Sequence, residues 1–333
     1  MTLKEMIFKL SAAKGVAGIN GASAVAVDLL ASLGKAEVDS VGGVTCKIGN
    51  GPRKIMLDAH IDEIGFIVTA LEGSFLRVAK CGGIDVRTVI GQRVTVHGKK
   101  DISGVITSMP PHLKAESTDA PKIDELSVDC AMSGDSLKEI VSVGDRISFD
   151  CEPVELLNER ITGKSLDNRV GVAAVIQAAQ QIAAANPDCT LILSLSAQEE
   201  LGLRGARTAT FAIKPDQAIV VDVSFGDGAG LAEKECGKLG GGVMIGASPI
   251  LNKKMTDQMI ALAEKEGIPY KIEAMSGSTG TNADVITISR DGVPTALLSI
   301  PLRNMHTACE VVDIKDVQWV AQLITAYICG GAQ

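Results

Sequence analysis

Two glutamates, Glu199 and Glu200, stand side by side just after an apolar run, and a glycine, Gly202, follows them. The run, residues 190–196, reads as a strand, and a helix is expected over 203–211. An apolar strand of a parallel sheet is covered on both faces, and open α/β sheets take their ligands beyond the carboxyl ends of their strands. Two adjacent carboxylates there repel each other and are costly to desolvate unless a cation or a proton offsets them. Other residues of ligating type recur at similar positions. His60 closes the apolar segment that contains Ile55, Met56 and Leu57, and Asp62 lies two residues on. Asp222 lies near the end of the apolar run 217–223, and His306 follows the buried strand expected over 293–300. Asp167 begins an Ala- and Val-rich segment. Taken singly each has an ordinary reading: His60 as a surface or structural histidine, Asp167 as a helix cap. Their shared place along one edge of a parallel sheet has no such reading. Two histidines and several carboxylates without thiolates suit a catalytic zinc, cobalt or manganese centre. The acids outnumber the needs of one ion, and a pair of ions about 3.5–4 Å apart, bridged by one acid, would use them all.

The elements that would position these residues follow an interrupted α/β pattern. Helices are expected over 2–13 and 22–33, joined by a glycine-rich turn over 15–21. No G-K-[ST] follows that turn, so it reads as a plain loop rather than a phosphate cradle. Short strands over 37–39 and 44–48 precede the segment ending at His60. From about 67 to 157 the pattern changes to short alternating runs, 66–71, 75–80, 92–96, 102–107 and 146–149, the signature of a small barrel or sandwich. Gly82, Gly83, Gly91, Gly98 and Gly104 are expected at its corners, His97 in a hairpin turn, and His112 in a long exposed loop. The α/β pattern resumes at 163 with a helix to about 185, apolar nearly all round and therefore buried. A glycine-rich loop over 224–241 and a flexible one over 276–281 should lie near the site. Between and after them come a helix over 253–266, an edge strand over 270–273, and helices over 282–289 and from 313 or 314 to about 329. The expected organisation is a catalytic α/β domain from 1–66 and 158–333 with an inserted β-rich domain at 67–157.

Bulk properties limit the functions open to this chain. Its 333 residues are comfortable for two domains. Only nine are aromatic (six Phe, two Tyr, one Trp), so a large core must come from Val, Ile, Leu and Ala. A net charge of -8 and a pI near 5.2 disfavour nucleic acid and anionic membranes as partners. The eight cysteines include no C-x-x-C pair and are expected to be small buried hydrophobes in a reducing compartment. The first residues lack the apolar stretch of a signal peptide and no run reaches membrane-spanning length, so a cytoplasmic location is expected.

The motifs together resemble the cocatalytic metallo-aminopeptidases that include the TET-type and bacterial glutamyl aminopeptidases. His60-Ile61-Asp62-Glu63-Ile64-Gly65, Leu166-Asp167-Asn168-Arg169, Glu199-Glu200-Leu201-Gly202, Val221-Asp222 and Met305-His306 occur in the order of that family. The inserted segment is similar too, in Gly82-Gly83-Ile84-Asp85, Gly91-Gln92-Arg93-Val94 and Pro110-Pro111-His112-Leu113. The resemblance implies a zinc-peptidase-like α/β/α sandwich carrying a PDZ-like β-barrel that builds dimers, which often assemble into a dodecamer. It implies two divalent ions per subunit, zinc first, with cobalt or manganese as alternatives. One would be held by His60, Asp167 and Asp222, the other by Asp167, Glu200 and His306, with Asp167 bridging. Asp62 would orient His60, and Glu199 would be the general base acting on short peptides. The chain departs from the family at Ala17, Asn20, Asn282, Thr307 and Ala308, none of them an implied ligand.

Two other readings compete. Some relatives carry glucanase labels, but a glycosidase needs its acids across a sugar ring, about 5–9 Å apart, and aromatic platforms for sugars are nearly absent. A metal-binding assembly protein without activity would be favoured only if the base were missing, and Glu199 is present.

Overall fold

The structure is a computed structural model and describes residues 1–113 and 121–330. The chain begins with Leu3–Ala12 (α1), whose N-terminus is closed by reciprocal hydrogen bonds between Thr2 and Glu5, and Gly21–Leu30 (α2). Ala36–Val38 (β1), Val44–Ile48 (β2) and Arg53–His60 (β3) follow. Then come Gly65–Glu72 (β4), Phe75–Cys81 (β5), Arg93–His97 (β6), Asp101–Thr107 (β7), Ser127–Asp129 (β8), Gly134–Ile140 (α3) and Arg146–Phe149 (β9). Val154–Leu156 (β10), Arg160–Gly163 (β11), Leu166–Ala185 (α4), Cys189–Ser196 (β12), Arg204–Ile213 (α5) and Gln217–Phe225 (β13) continue the chain. It ends with Val243–Ala247 (β14), Lys253–Glu266 (α6), Tyr270–Ala274 (β15), Ala283–Ile286 (α7), Thr295–Arg303 (β16), Glu310–Asp313 (β17) and Ile314–Cys329 (α8).

Eleven strands form one sheet in the order β1-β2-β12-β3-β13-β16-β17-β11-β10, with β14 on β16 and β15 on β14. The four central strands, β12, β3, β13 and β16, are mutually parallel. They are buried on both faces: all eight residues of β12 and six successive residues of β3 are out of solvent. Side chains alternate between two cores, as a two-residue period requires. Ile55, Leu57, Ile219 and Val221 face α1, α4 and α8, while Met56, Ala218 and Val220 pack with Ala206 of α5 and Ile286 of α7. The sheet is therefore sandwiched between helices. α4 is buried almost all round, as its Ala/Val composition predicts.

The interrupting segment closes into a six-strand barrel in the order β4-β5-β8-β7-β6-β9. Among the described residues its core is mostly aliphatic, with an edge-to-face pair, Phe66 and Phe149, whose ring centroids are 5.6 Å apart. The mixed α/β fold with an inserted barrel is thus the architecture expected from the sequence.

The differences are local. β8, β10 and β17 are too short to set up a period, and β14 follows directly on the glycine-rich loop that sequence reading ended at 241. The helix expected over 282–289 is only the four residues of α7. His97 ends β6 rather than sitting in a turn; its ring bonds Asp101 across the hairpin and Ser148. Gly104 is not a corner. It pairs with Val94 in mid-strand, where a Cβ would lie 2.6 Å from Val128 Cγ1. His112 is exposed, and the polar run after Leu113 lies outside the described residues. Only four of the eight cysteines are buried; Cys309 and Cys329 are exposed, and Cys151 Sγ lies 3.8 Å from Cys309 Sγ. No helix among the described residues is long and apolar enough to cross a membrane.

Candidate metal centre

Parallel register lines up the strand ends that carry the ligating residues. Ser196 of β12 pairs with His60 at the end of β3, and Asp222 of β13 pairs with Ser299 of β16. The turn after β12 brings Glu199 and Glu200 over the same edge. His306 lies three residues beyond β16, in the left-handed backbone region. Asp167 is not a helix cap: it and Asn168 have non-helical backbone at the start of α4, and the peptide between them is cis.

Six of the seven residues singled out by sequence converge on one cluster, and the seventh supports it. His60 Nε2 lies 3.0 Å from Asp167 Oδ1, 3.6 Å from Asp222 Oδ1 and 4.0 Å from Glu199 Oε2. His306 Nε2 lies 3.3 Å from Asp167 Oδ2 and 3.5 Å from Glu200 Oε1. Asp167 therefore turns one carboxylate oxygen to each histidine. Asp62, the seventh, comes no nearer to His60 Nδ1 than 3.6 Å, too far for a hydrogen bond. Its oxygens accept instead from the backbone N–H groups of Glu199 at 3.0 Å and Glu200 at 3.3 Å. Asp62 thus fixes the turn that carries both glutamates, and His60 Nδ1 has no partner among the described residues.

Without a cation this cluster is short of positive charge, and it holds protons. Burial pushes Glu199 up to about 7 and Glu200 up to about 8, and pushes Asp222 well above the carboxylate range. Burial opposes a charge on His60, yet Glu199, Asp167, Asp62 and Asp222 together hold it well above its ordinary value. The hydrogen bond that His306 donates to Asp167 lifts the imidazole to about 9. Asp167 alone goes down: burial disfavours its charge, but hydrogen bonds from both histidines outweigh that. His60, Asp167 and Asp222 form one set of ligand atoms within 4.8 Å of one another; Asp167, Glu200 and His306 form another. His60, Glu199 and Glu200 also satisfy that spacing. Imidazole and carboxylate donors in two overlapping sets, one buried and one part-buried, fit divalent ions of the zinc, cobalt or manganese type. Because Glu200 and His306 hold protons at neutral pH and a cation needs them deprotonated, metal affinity must fall as pH drops. Titrating the metal-free protein with Zn²⁺ at pH 7 in buffers of different ionisation enthalpy should show release of more than one proton per chain; no release would contradict this account.

Supporting groups escaped the sequence reading. Glu310, fully buried at the start of β17, accepts from the N–H of Asp167 at 3.0 Å and of His306 at 2.9 Å, and so clamps the two loops together. Glu63 accepts from Gly15 N–H at 2.6 Å and from Lys164 Nζ at 2.7 Å, which ties the loop after His60 to the segment before Asp167. Asp58 accepts from Ser194, Ser196 and Asn282 beneath the sheet edge, so Asn282 faces the core rather than the cleft. The only sequence signal for these was the proximity of Glu63 and Glu310 to the implied ligands.

The cluster forms the floor of a cleft of about 580 Å³, a volume suited to a small ligand. Leu203, Ser224, Phe225, Thr281 and Met305 line its walls. The barrel contributes Gly83, where a Cβ would fall 2.7 Å from His306 Nδ1. A side chain at that position would displace the histidine.

Comparisons with known proteins point the same way as this geometry. The family model described as M42 glutamyl aminopeptidase matches residues 42–323. A lysyl aminopeptidase of Pyrococcus furiosus is 34% identical over 97% of this chain and 96% of its own. The solved aminopeptidase APDkam598 from Desulfurococcus kamchatkensis superposes with a TM-score of 0.92 at 33% identity, covering 99% of this chain and 95% of that one. The TET1 peptidase of Pyrococcus horikoshii, described as able to assemble into a tetrahedron or a large octahedral shell, gives 0.87 at 28% identity over 98% and 99% of the two chains.

Proposed function

The chain belongs to the M42 glutamyl aminopeptidase family and is a metal-dependent aminopeptidase; we propose that it removes N-terminal residues from short peptides with two divalent ions, zinc first and cobalt or manganese as alternatives. His60, Asp167 and Asp222 would hold one ion, and Asp167, Glu200 and His306 the other. The observation that carries this reading is the placement of Asp167, with Oδ1 3.0 Å from one histidine and Oδ2 3.3 Å from the other. When bound, such ions polarise the scissile carbonyl and acidify water.

The chain's own residues would do the rest. Glu199 is the general base: it takes a proton from the attacking water and returns it to the leaving amine. Asp62 keeps that carboxylate in place through the Glu199 N–H. Glu310 holds the segments of Asp167 and His306 in register while charge moves. The floor's acids also suit the free α-amino group of a peptide, which makes the site an exopeptidase.

Residues 1–66 and 158–333 would then be the catalytic domain and 67–157 a dimerisation domain. Exposed Phe75, Val105 and Met109 on or beside the barrel support its use as an interface. Assembly of such dimers into a dodecamer is in keeping with the tetrahedral shell ascribed to the Pyrococcus horikoshii peptidase. A glycosidase fits less well. Glu199 and Glu200 offer oxygens within 4.8 Å of each other and of His60, closer than the roughly 5–9 Å that flanks a glycosidic bond.

A chelator should abolish hydrolysis of leucyl- and lysyl-p-nitroanilide, and Zn²⁺ or Co²⁺ should restore it. Activity that survives exhaustive chelation would refute the metal mechanism.

A further inference from the structure

Two thiols from distant parts of the chain meet beside the metal centre. Cys151 follows β9, where the barrel returns the chain to the large sheet, and Cys309 ends the loop that runs from His306 to β17. Their Sγ atoms lie 3.8 Å apart across 158 residues of sequence. Cys309 is exposed and Cys151 half-buried. Cys151 packs against the barrel core, which also takes in Ala308, the neighbour of Cys309. The His306 loop is cross-tied. Asn304 Nδ2 donates to the Cys309 carbonyl at 3.2 Å, Thr307 Oγ1 to the Asn304 carbonyl at 2.7 Å, and the Cys309 N–H to Thr307 Oγ1 at 3.2 Å. His306 lies within those ties, and Glu310, the residue after Cys309, accepts from its N–H at 2.9 Å. Movement of Cys309 is therefore passed to the imidazole that faces Asp167 and Glu200.

We propose that Cys151 and Cys309 are a reversible redox modification site, closed to a disulfide by a low-molecular-weight disulfide such as oxidised glutathione, and that closure weakens metal binding at His306. The effect on metal rests on the two-ion reading; the bond itself does not. The exposed Cys309 thiolate attacks one sulfur of the oxidant and releases a first thiol, which leaves a mixed disulfide. The Cys151 thiolate then attacks the Cys309 sulfur and releases the second. The two cysteine thiols give up two electrons and two protons, and the oxidant takes both up as two thiols. Burial, and then the Cys309 sulfur beside it, push the Cys151 thiol up to about 11, against the pull of Lys164 and Arg93. Capping Cys309 as a mixed disulfide removes its share of that rise, so the second thiol becomes the readier nucleophile once the first has reacted. A disulfide holds its sulfurs at about 2.05 Å, so the pair must approach by roughly 2 Å. Cys151 is seated on the barrel core and Cys309 is exposed, so the loop makes the larger movement and takes His306 with it.

The test incubates the metal-loaded protein with oxidised glutathione. Disulfides are mapped by peptide mass spectrometry without reduction, and metal retention against a chelator is measured beside hydrolysis of leucyl-p-nitroanilide. The peptide that contains Cys151 should be joined to the one that contains Cys309. The oxidised protein should lose about 10- to 100-fold in activity, the size of disturbing a group that supports a metal ligand, and should yield metal to the chelator more readily. Dithiothreitol should restore both. Cys309→Ser should keep wild-type activity in reducing buffer and lose neither activity nor metal on oxidation. In Cys151→Ser, Cys309 should stop at the glutathione adduct. Failure of the two peptides to join in the wild type, or a closed disulfide that leaves metal retention and rate unchanged, would overturn the proposal. Inactivation of the same size in Cys309→Ser would also overturn it, because other cysteines would then be responsible. Absence of turnover in the reduced protein, with the disulfide formed and metal loosened by it, would refute the aminopeptidase reading and leave the thiol pair standing.

Discussion

Glu199→Gln should lower kcat by about 10²–10⁴-fold while leaving the metal content of the protein intact, the loss expected when a general base is removed. At the upper end that is about 5.5 kcal/mol of barrier. The substitution preserves size and keeps a polar end, so the turn should survive: its anchor is the backbone N–H of Glu199 on Asp62 at 3.0 Å, which the side chain does not affect. What is lost is an oxygen able to take a proton. Burial has brought the Glu199 carboxyl to about 7 in the cluster without a cation; positive charge placed beside it would lower that value and leave it a base at neutral pH. The neighbouring acid should behave differently. Glu200→Gln, at the residue whose Oε1 faces His306 Nε2 at 3.5 Å, should lose metal as well as turnover. Atomic emission measured beside kinetics separates the two outcomes. Full activity in Glu199→Gln would remove Glu199 as the base, and loss of metal in it would make Glu199 a ligand, a reading open to it because it shares one ligand-spaced set with His60 and Glu200.

The sequence made the ligating residues legible because a parallel sheet converts sequence position into spatial position. An apolar run buried on both faces can be recognised without knowing its neighbours, and its carboxyl end is then the place to look. His60, Glu199, Glu200 and Asp222 were found on that ground, and the structure brings them to one edge. Asp167 was ambiguous between cap and ligand because local pattern cannot distinguish a helix start from a kinked turn. Only the tertiary partners, two imidazoles and the Glu310 carboxylate, give it a role. The family resemblance implied that Asp62 orients His60, yet its carboxylate is used on two backbone N–H groups contributed by residues 137 and 138 positions away. Glu310 was missed for a related reason. Its function is to accept from two backbone donors brought together by the fold, and a backbone donor leaves no trace in residue type. The short strands β8, β10, β11 and β17 were not read, since three or four residues hold little alternation, although β1 and β9 of the same length were; long-range pairing makes them strands.

The largest effect should follow from Asp167→Asn, which keeps the side chain's shape and removes its charge. Asp167 is the only residue common to the His60–Asp222 set and the Glu200–His306 set, so both ion sites lose a ligand at once. The amide cannot replace it. One of its two ends is an NH₂ donor, which would face either an imidazole nitrogen or a cation, whereas the carboxylate presents an acceptor to both sides. The carboxylate's charge also matters before any metal arrives, because the two histidines and Asp167 offset one another in a site where an unpaired charge is costly. Metal content in the variant should fall toward zero ions per chain and turnover should fall by roughly 10⁴-fold or more, as when a member of a catalytic unit is removed. The backbone at 167 should hold its place, because Glu310 bonds its N–H rather than its side chain. Circular dichroism should accordingly match the wild type. Asp222→Asn is the informative comparison, since Asp222 belongs to one set only and its loss should spare the ion held by Glu200 and His306. Wild-type activity with two ions retained in Asp167→Asn would remove the bridge, and with it the argument that one buried carboxylate organises both halves of the centre.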